Sequence, residues 1–484
     1  MKRFAWQWRA ASKVLVTSLL LQAGLIQAGA AETRPQYGGT VRIAMRGAPV
    51  SLDPSLDLRS PSEAGAQARR NLLALIFETL VTLDDRGRIH AGLATDWQAA
   101  PGNQRWQFHL RQGVKFHDGS PLTADIAASS LRMANPSWKV FAEGDSIIVE
   151  RDHGDFNLPA ELALACNSIV KKDSGGKLSG TGPFRIADWQ SGKKLTLKAE
   201  EDYWRGRAFI DTIEVEMGRN FHDQLAEMEM RRADLVEVAP EQGHQAGMEG
   251  HRLSTSQPME VVALVFRDAP KTADEKLLRS ALAHSVERGS MKSVLLQGTG
   301  EPTASLLPNW MSGYGFVFPT DADLKQARHE RQQVRGAPSW TVGYDANDSL
   351  ARVLVERIAL NAKDAGLVLQ PSVLQTSVSR TSALPALGAS AADLRLVRIP
   401  LASTDPWIAL ANAAESLGMA MPASSGNTLE DLYAFEKFLL AQQKVIPLFH
   451  LPVEYAVSPA LKDWRPAADG SWRLDEVWLG NDKP

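Results

Sequence analysis

Four side chains that can take part in chemistry follow one another at Lys115, Phe116, His117 and Asp118. An imidazole beside a carboxylate is the pairing that general acid–base catalysis or a metal site would use. However, Gly119 and Pro121 follow at once, and both are typical of turns. Because a lone histidine in a turn is more often held by hydrogen bonds than catalytic, we interpret residues 115–126 as a structural turn.

The neighbouring segments support this interpretation. Residues 105–110 alternate apolar and polar side chains, which predicts a half-buried antiparallel strand before the turn. After the turn, Thr123 is the expected N-cap of a helix, and Asp125 lies in its first turn, where a carboxylate suits the helix dipole. Every polar residue of the turn therefore has a structural role.

Strands and helices alternate along the rest of the chain, which predicts an α/β fold with mixed sheets. Residues 38–45 show strand alternation, and residues 68–84 carry the apolar stripe of a helix. Thr428 stands three residues before Asp431 and predicts a capping box, and Gly366 is suited to end a helix.

The sequence offers no motif of an enzyme. It contains no GxSxG and no HExxH, and its ten histidines are dispersed, so no preformed histidine cluster is visible. We therefore expect a protein that is not an enzyme and that holds no cofactor and no metal of its own. The single Cys166 excludes an intramolecular disulfide, and we expect it to be a small buried residue.

The N-terminus has the order of a secretory signal peptide. Basic residues precede the uncharged run from Val14 to Ile26, and small residues follow at 28–31. That run is shorter than the about 20 residues that span a bilayer. We expect residues 1–31 to be removed and, because no cysteine lies near the cut, the mature protein to be periplasmic without a lipid anchor.

Charge and length limit the possible partners and the number of domains. The chain has 53 Lys plus Arg and 56 Asp plus Glu, and the leader takes four of the basic residues with it, so the mature net charge is near −7. This charge argues against a nucleic-acid partner. A chain of 484 residues is too long for one core, which predicts two or three domains.

Six segments, in this order, resemble the bacterial extracellular solute-binding proteins of family 5, the peptide- and nickel-binding group that serves ABC importers. No single segment is decisive, but together they extend over nearly the whole mature chain. They are YGGTVRIAMRGAPVSLDPSL (37–56), GLATDWQAAPGNQRWQFHLRQGVKFHDGSPLTADI (92–126), GTGPFRIADWQSG (180–192), DYWRGRAFIDTIEVEM (202–217), RSALAHSVERGSM (279–291) and IPLFHLPVEYAVSPALKDWRPAADGSWRLDEVWL (446–479).

The resemblance implies a two-lobed periplasmic-binding-protein clamshell of class II, with mixed sheets flanked by helices. Lobe I is expected over residues 32–258 and lobe II over 259–441, and residues 442–484 return to lobe I. A solute would lie between the lobes, which close around it and are then recognised by the permease subunits of an ABC importer. We expect a monomer.

Members of this family line the cleft with residues from the SLDPSL region (51–56) and from a loop that resembles residues 399–410. In that loop Asp405 and Trp407 are the best candidates, because a carboxylate pairs with a cationic solute and an indole stacks on it. Asp405 is equally compatible with an N-cap ahead of Pro406. Arg398 is a third candidate, for a solute carboxylate, although a partnership with Asp405 or solvent exposure would also explain it.

The chain departs from the family pattern at two places. Peptide binders carry an aspartate four residues before the proline of this loop, where Ala402 stands here, and a nearby tryptophan is replaced by Ile399 and Pro400. Residues 134–165 are also shorter than in the family, which puts the small subdomain expected there in question.

We therefore expect a periplasmic substrate-binding protein that captures a peptide or a similar small cationic or zwitterionic solute. Two other classes remain open at this point. A non-transport receptor or chaperone could use the same clamshell, and an exported hydrolase could assemble its site from distant residues.

Overall fold

The computed structural model describes residues 34–56, 63–336, 339–346, 348–374, 392–420 and 427–480. The expected signal peptide, residues 1–31, lies outside the described residues. None of the described helices combines the length and the apolar character that crossing a bilayer requires.

The described strands and helices alternate as expected. The strands are β1 (Thr40–Ala44), β2 (Val81–Leu83), β3 (Ile89–Ala91), β4 (Ala94–Ala99), β5 (Arg105–Leu110), β6 (Lys139–Glu143), β7 (Ser146–Glu150), β8 (Lys171–Lys172), β9 (Leu178–Ser179), β10 (Phe184–Gln190), β11 (Lys194–Ala199), β12 (Thr212–Glu216), β13 (Leu235–Val238), β14 (Arg252–Phe266), β15 (Glu301–Pro302), β16 (Ser339–Asp345), β17 (Val368–Leu374), β18 (Leu394–Pro400), β19 (Val445–Val457), β20 (Leu461–Lys462) and β21 (Trp478–Leu479). The α-helices are α1 (Glu63–Ile76), α2 (Ala124–Ala134), α3 (Leu158–Leu162), α4 (Phe221–Glu229), α5 (Gly243–Met248), α6 (Ala273–Ser285), α7 (Arg288–Val294), α8 (Asn309–Ser312), α9 (Leu324–Gln332), α10 (Ser349–Asp364), α11 (Pro406–Ser416) and α12 (Leu429–Ala441).

An 11-stranded sheet runs through the whole molecule, in the order β10-β11-β12-β1-β13-β19-β14-β18-β16-β17, with β15 added to β19. We call β10 to β13 with β1, and the elements packed on them, the first half, and β16 to β18 with their helices the second half. Each half contains parallel pairs, β1 with β12 and β13, and β16 with β17 and β18. The antiparallel strands β14 and β19 connect the two groups.

The strands β14 and β19 belong to both halves. From Met259 to Phe266, β14 is buried at every residue, because helices cover both faces of the second half. Its earlier residues are partly exposed, and β19 is likewise less buried at Pro452 to Glu454 than at its ends. Pro258 faces Pro452 at this place, and the ladder changes register on both sides of Pro258. The two crossing strands are therefore least constrained at this pair of prolines.

Separate cores fill the two halves. In the first half, α1 packs its residues Leu72, Leu73 and Ile76 on the sheet, together with the C-terminal Trp464 and Trp472. In the second half, one core lies under α6, α7 and α10, and another lies under α11 and α12 on the opposite face of the sheet. Each half therefore buries its own apolar surface and does not depend on the other half for a core.

A four-stranded antiparallel sheet, β4-β5-β7-β6, forms a third unit, which we call the small sheet. Its core is made from Phe108, Leu131 and Ile147 among others, with α2 and α3 packed on it. Residues 134–165, where the presence of a small subdomain was in question, supply β6, β7 and α3 to this unit. The region therefore forms part of a sheet with packed helices.

The turn at residues 115–126 is structural, as predicted. Nε2–H of His117 donates to the carbonyl of Gly182 at 2.9 Å, and the backbone N–H of Gly180 donates to its Nδ1 at 3.4 Å. Burial lowers the pKa of His117, which agrees with a neutral ring that donates at one nitrogen and accepts at the other. Thr123 caps α2 through its hydroxyl, which accepts from the backbone of Ile126.

Other local predictions are also confirmed. Thr428 and Asp431 form the predicted capping box at the start of α12. Gly366 follows α10 with a φ of 81°, in the left-handed region that a glycine accepts without strain.

Two expectations were wrong. The helix predicted over residues 68–84 ends at Ile76, and Val81–Leu83 is a strand. The backbone N–H of Gly182 donates to the carbonyl of Ile76 at 3.0 Å, and a Cβ at Gly182 would lie 2.7 Å from the carbonyl carbon of Ile76. The chain of this distant turn therefore occupies the place where the helix would continue. Cys166 was expected to be buried but is exposed, in the middle of a short 3₁₀ turn.

Glu78, which follows α1, joins two of the segments that carry the family resemblance. Its carboxylate accepts from the hydroxyl of Thr181 at 2.8 Å, from the hydroxyl of Tyr203 at 2.9 Å and from Nε1–H of Trp204 at 2.9 Å. Burial raises the pKa of Glu78, and these three hydrogen bonds oppose the rise. The carboxylate therefore holds the end of α1, the Gly-rich turn and the segment after β11 together.

We predict that Glu78→Ala destabilises the protein by about 3 kcal/mol, because it leaves three buried donors without an acceptor. The matched control is Glu143→Ala, which removes an exposed ion pair with Arg105 and should cost under about 1 kcal/mol. Urea unfolding followed by tryptophan fluorescence measures both. Equal losses in the two variants would contradict the role given to Glu78.

Candidate functional site

The two halves face each other at the carboxyl ends of their parallel strands. In open α/β sheets ligands bind outside these ends, because the loops there leave a crevice. The first half contributes Arg46 after β1 and Glu241 after β13. The second half contributes Asp348 after β16 and the residues from Arg398 to Asp405 around the end of β18. We call this place the junction.

Arg398 lies at the centre of a charged group in the junction. Its Nε donates to Glu260, and its Nη1 lies 3.3 Å from Oδ2 of Asp348. The side chains of Arg398 and Glu260 are each 11% exposed, so this is a largely buried group. Burial lowers the pKa of the Arg398 guanidinium, and the two carboxylates more than offset this effect and hold its pKa above the ordinary value. The alternatives of solvent exposure and of a partnership with Asp405 are thus not observed.

The first half also acts on this charged group. Burial raises the pKa of Glu260, and the positive charges of Arg398 and Arg46 oppose the rise. Arg46 belongs to the first half, and its guanidinium lies over the ring of Phe221, 4.7 Å from the ring centre. Charged residues of both halves therefore interact in one place.

Asp405 caps α11. Its Oδ1 accepts from the backbone N–H groups of Trp407 and Ile408, each at 3.0 Å, and Pro406 is the first residue of the helix. Burial raises the pKa of Asp405, while these two bonds oppose the rise. The N-cap alternative is thus observed, and no described residue donates a hydrogen bond to Oδ2.

Trp407 connects the small sheet with the second half. Its ring meets Phe435 of α12 and Phe156 of the small-sheet unit edge to face, with centroids 5.4 Å and 5.9 Å apart. The indole is half-buried between these rings. Trp407 therefore packs against both the small-sheet unit and the second half.

A second contact between the units lies beside Asp405. The hydroxyl of Thr404 donates to the carbonyl of Asp84 at 3.0 Å. Gly87 follows in the same turn with a φ of 73°, and a Cβ there would lie 2.6 Å from the carbonyl oxygen of Thr404. Because any side chain at position 87 would meet this carbonyl, the contact needs glycine.

Two carboxylates at the junction were not predicted from the sequence. Oε1 of Glu241 accepts from the hydroxyl of Ser349 in the second half at 2.7 Å, and its Oε2 is buried without a partner among the described residues. Glu454, in the exposed middle of β19, likewise has a buried Oε2 without a described partner. Burial raises the pKa of Glu454 to about 7. The only sequence signal for Glu454 is an acidic residue inside an otherwise apolar strand.

The described junction thus has an excess of carboxylates over guanidinium groups, and two of the carboxylate oxygens face no donor. This arrangement suits a cationic group better than an anion.

Comparisons with known proteins agree with this geometry. The family model "Bacterial extracellular solute-binding proteins, family 5 Middle" matches residues 88–383. The nickel-binding protein NikA of Staphylococcus aureus is 24% identical over 269 residues, which cover 52% of this chain and 55% of NikA. The oligopeptide-binding protein AppA of Bacillus subtilis is 22% identical over 332 residues, 62% of this chain and 59% of AppA. The chain thus matches little more than half the length of these curated relatives.

Solved structures show the same fold over a longer range. The NikA structure from Staphylococcus aureus in complex with Ni(L-His)2 aligns with a TM-score of 0.72 and 16% identity, over 91% of this chain and 99% of that one. The dipeptide-binding protein of Pseudoalteromonas sp. SM9913 in complex with Met-Leu aligns with a TM-score of 0.75 and 16% identity, over 91% and 100%. The predicted fold class, an α/β two-lobed periplasmic-binding-protein clamshell, is confirmed.

We predict that Arg398→Leu destabilises the protein by about 3 kcal/mol, because it leaves Glu260 and Asp348 buried without a counter-charge. Arg352→Leu is the matched control, since Arg352 forms an exposed pair with Glu356 that should contribute under about 0.5 kcal/mol. Thermal unfolding of both variants measures the difference. A small effect at both positions would show that the charged group is not needed for folding.

The pKa of Glu454 predicts a pH dependence of stability. In the folded protein this carboxyl holds its proton up to about pH 7, whereas it loses the proton near pH 4.5 when unfolded. Its contribution to stability is therefore complete below about pH 4.5 and is lost as the pH rises through 7. Relative to Glu454→Gln, the wild-type melting temperature should fall between pH 5 and pH 8. Parallel pH profiles of the two proteins would refute this.

Proposed function

Because the chain belongs to the bacterial extracellular solute-binding proteins of family 5, we propose that it captures a peptide or similar small solute between its lobes and delivers it to the permease of an ABC importer. In this proposal it acts in the periplasm as a monomer, without a cofactor, without a lipid anchor and without enzymatic activity, after residues 1–31 have been removed. The nickel complexes and peptides bound by its relatives support this class of cargo.

The observation that carries the proposal is that both halves contribute charged residues to one junction while only β14 and β19 connect them among the described residues. A solute held by groups from both halves favours the closed state by the contacts that only this state provides. The hydrogen bond from Ser349 of the second half to Glu241 of the first half already joins the two halves at this place.

We place the hinge at Pro258 and Pro452. Proline has no N–H group, so the ladder at this pair has fewer hydrogen bonds to lose when the strands bend. The lobe boundary expected at residues 258 and 259 falls at this point. We propose that the return to lobe I begins near Pro452 and not at residue 442, since Ile446, Leu448 and Phe449 pack in a core of the second half.

The charges support a cationic or zwitterionic solute. We propose that Asp405, through its second oxygen, together with Glu241 and Glu454, faces the positive group of the solute. These carboxylates would replace the aspartate that peptide binders carry where Ala402 stands here. Trp407 would cover an apolar part of the solute, and Arg398 would bind its carboxylate while it also holds Glu260.

The test begins with the solute itself. Mass spectrometry of the molecules released when the purified protein is denatured should identify a peptide or another small cationic or zwitterionic compound. Small-angle scattering of the refolded protein should then show a smaller radius of gyration when this compound is added. An unchanged shape at saturation would exclude capture by closure, and deletion of the gene without loss of uptake would exclude the transport role.

Asp405 variants separate solute binding from helix capping. Asp405→Asn keeps the N-cap, because asparagine caps as well as aspartate, but it removes the charge. We expect this variant to bind the identified solute about tenfold more weakly, which corresponds to about 1.4 kcal/mol, at an unchanged melting temperature. Asp405→Ala should in addition lose about 1 kcal/mol of stability. Full affinity in Asp405→Asn would remove Asp405 from the site.

A further inference from the structure

A group of three metal-ligating side chains lies at the outer end of the first half, away from the junction. Glu229 is the last residue of α4, Glu249 follows the last residue of α5, and His251 immediately precedes β14. One ligand atom from each of these residues can be chosen so that all three lie within 4.8 Å of one another. Three separate elements thus bring an imidazole and two carboxylates to one point.

The fold fixes this arrangement through the backbone. The helices α4 and α5 pack on a small core with β13, in which Met228 and Ala246 are buried. The N–H of His251 donates to the carbonyl of Ala246 at 3.1 Å, so the chain turns directly from α5 into β14. The backbone of His251 is therefore held close to both helices, whatever occupies the site.

The charges at this point are not balanced by neighbouring cations. Among the described residues, no lysine or arginine forms an ion pair with Glu229 or Glu249, and Nε2–H of Gln245 donates to Oε1 of Glu249 at 2.9 Å. Two carboxylates at such a distance repel each other even in water. A positive charge placed between them removes this repulsion.

We propose that Glu229, Glu249 and His251 bind a divalent transition-metal ion such as Zn²⁺, with water completing the coordination. Imidazole and carboxylate oxygen are ordinary zinc ligands, whereas Mg²⁺ and Ca²⁺ prefer oxygen alone. Each ligand atom must move by about 1 Å towards the centre of the cluster to reach a zinc–ligand distance near 2.1 Å. The two glutamate side chains are exposed and can make this movement. The site is separate from the proposed solute site, because Glu454 lies opposite Thr255 of β14, and four positions of strand, about 13 Å, separate Thr255 from His251.

The bound ion would connect α4, α5 and the first crossing strand. It would therefore stabilise the first half without contributing to the cleft. The competing explanation is that the two exposed glutamates are satisfied by water and by hydrogen bonds such as the one from Gln245 to Glu249. In that case the cluster would hold no metal at pH 7.5, and the two explanations give different results in titrations.

The test is calorimetric titration of the untagged, chelator-treated mature protein with ZnCl2 at pH 7.5. We expect one site with a micromolar Kd, weakened at least tenfold in His251→Ala and in Glu229→Gln. His244→Ala is the matched control, because His244 is exposed on α5 outside the cluster, and it should bind like the wild type. The junction variant Asp405→Asn should also keep full zinc affinity, which separates this site from a metal-containing solute in the cleft.

Thermal unfolding provides the second readout. Zinc should raise the melting temperature of the wild type but not that of His251→Ala, whose metal-free melting temperature should match the wild type because the residue is only partly buried. Equal zinc affinity in the wild type and His251→Ala, or a Kd above about 1 mM, would overturn the proposal. Loss of zinc binding in Asp405→Asn alone would assign the metal to the cleft.

Discussion

The structure depends on one constraint, which is that β14 and β19 must cross from the first half to the second within one continuous sheet. β19 is buried at both ends, in the first half and in the second, and is partly exposed at Pro452 to Glu454, whereas β14 is exposed or partly exposed up to Pro258 and buried from Met259 onward. The prolines at 258 and 452 face each other there, where the ladder already changes register. The sheet is thus continuous through the molecule and yet weakest at a defined place. This arrangement supports the proposal that the two halves move as rigid bodies about this pair of strands.

The junction charges have a physical consequence for the movement of these bodies. We propose that, when the halves approach, Glu241 loses water around Oε2 without gaining a described hydrogen-bond donor for that oxygen. Desolvation of an unpaired carboxylate is unfavourable, so the charges alone oppose closure. A solute with a positive group reverses this balance, because it replaces the lost water by a charged partner. The Arg398 group is different, since Glu260 and Asp348 already satisfy it within the second half.

The sequence predicted features that neighbouring residues determine, such as helix caps, and missed contacts between segments far apart in the chain. Thr123, Thr428 and Gly366 were found because a cap is defined by residues within one turn of the helix end. The end of α1 was missed because the segment that stops it, Gly182, lies in another part of the chain. Arg398 and Glu260 are 138 residues apart, and no pattern in one sequence connects them. The family resemblance supplied the clamshell and the loop at 399–410, but it could not supply partners that differ from those of its relatives.

Asp405 can both cap α11 and bind a solute, because the two roles use different oxygens of its carboxylate. Capping uses Oδ1 for two backbone donors and leaves Oδ2 without a described donor, so the carboxylate has one structural and one open oxygen. The N-terminus of α11 favours the ionised form of a carboxylate placed there, while burial opposes it. A positive solute group at Oδ2 would favour the ionised form of Asp405. The N-cap hydrogen bonds therefore hold the Asp405 carboxylate in position. Its second oxygen is the one that we propose binds the solute.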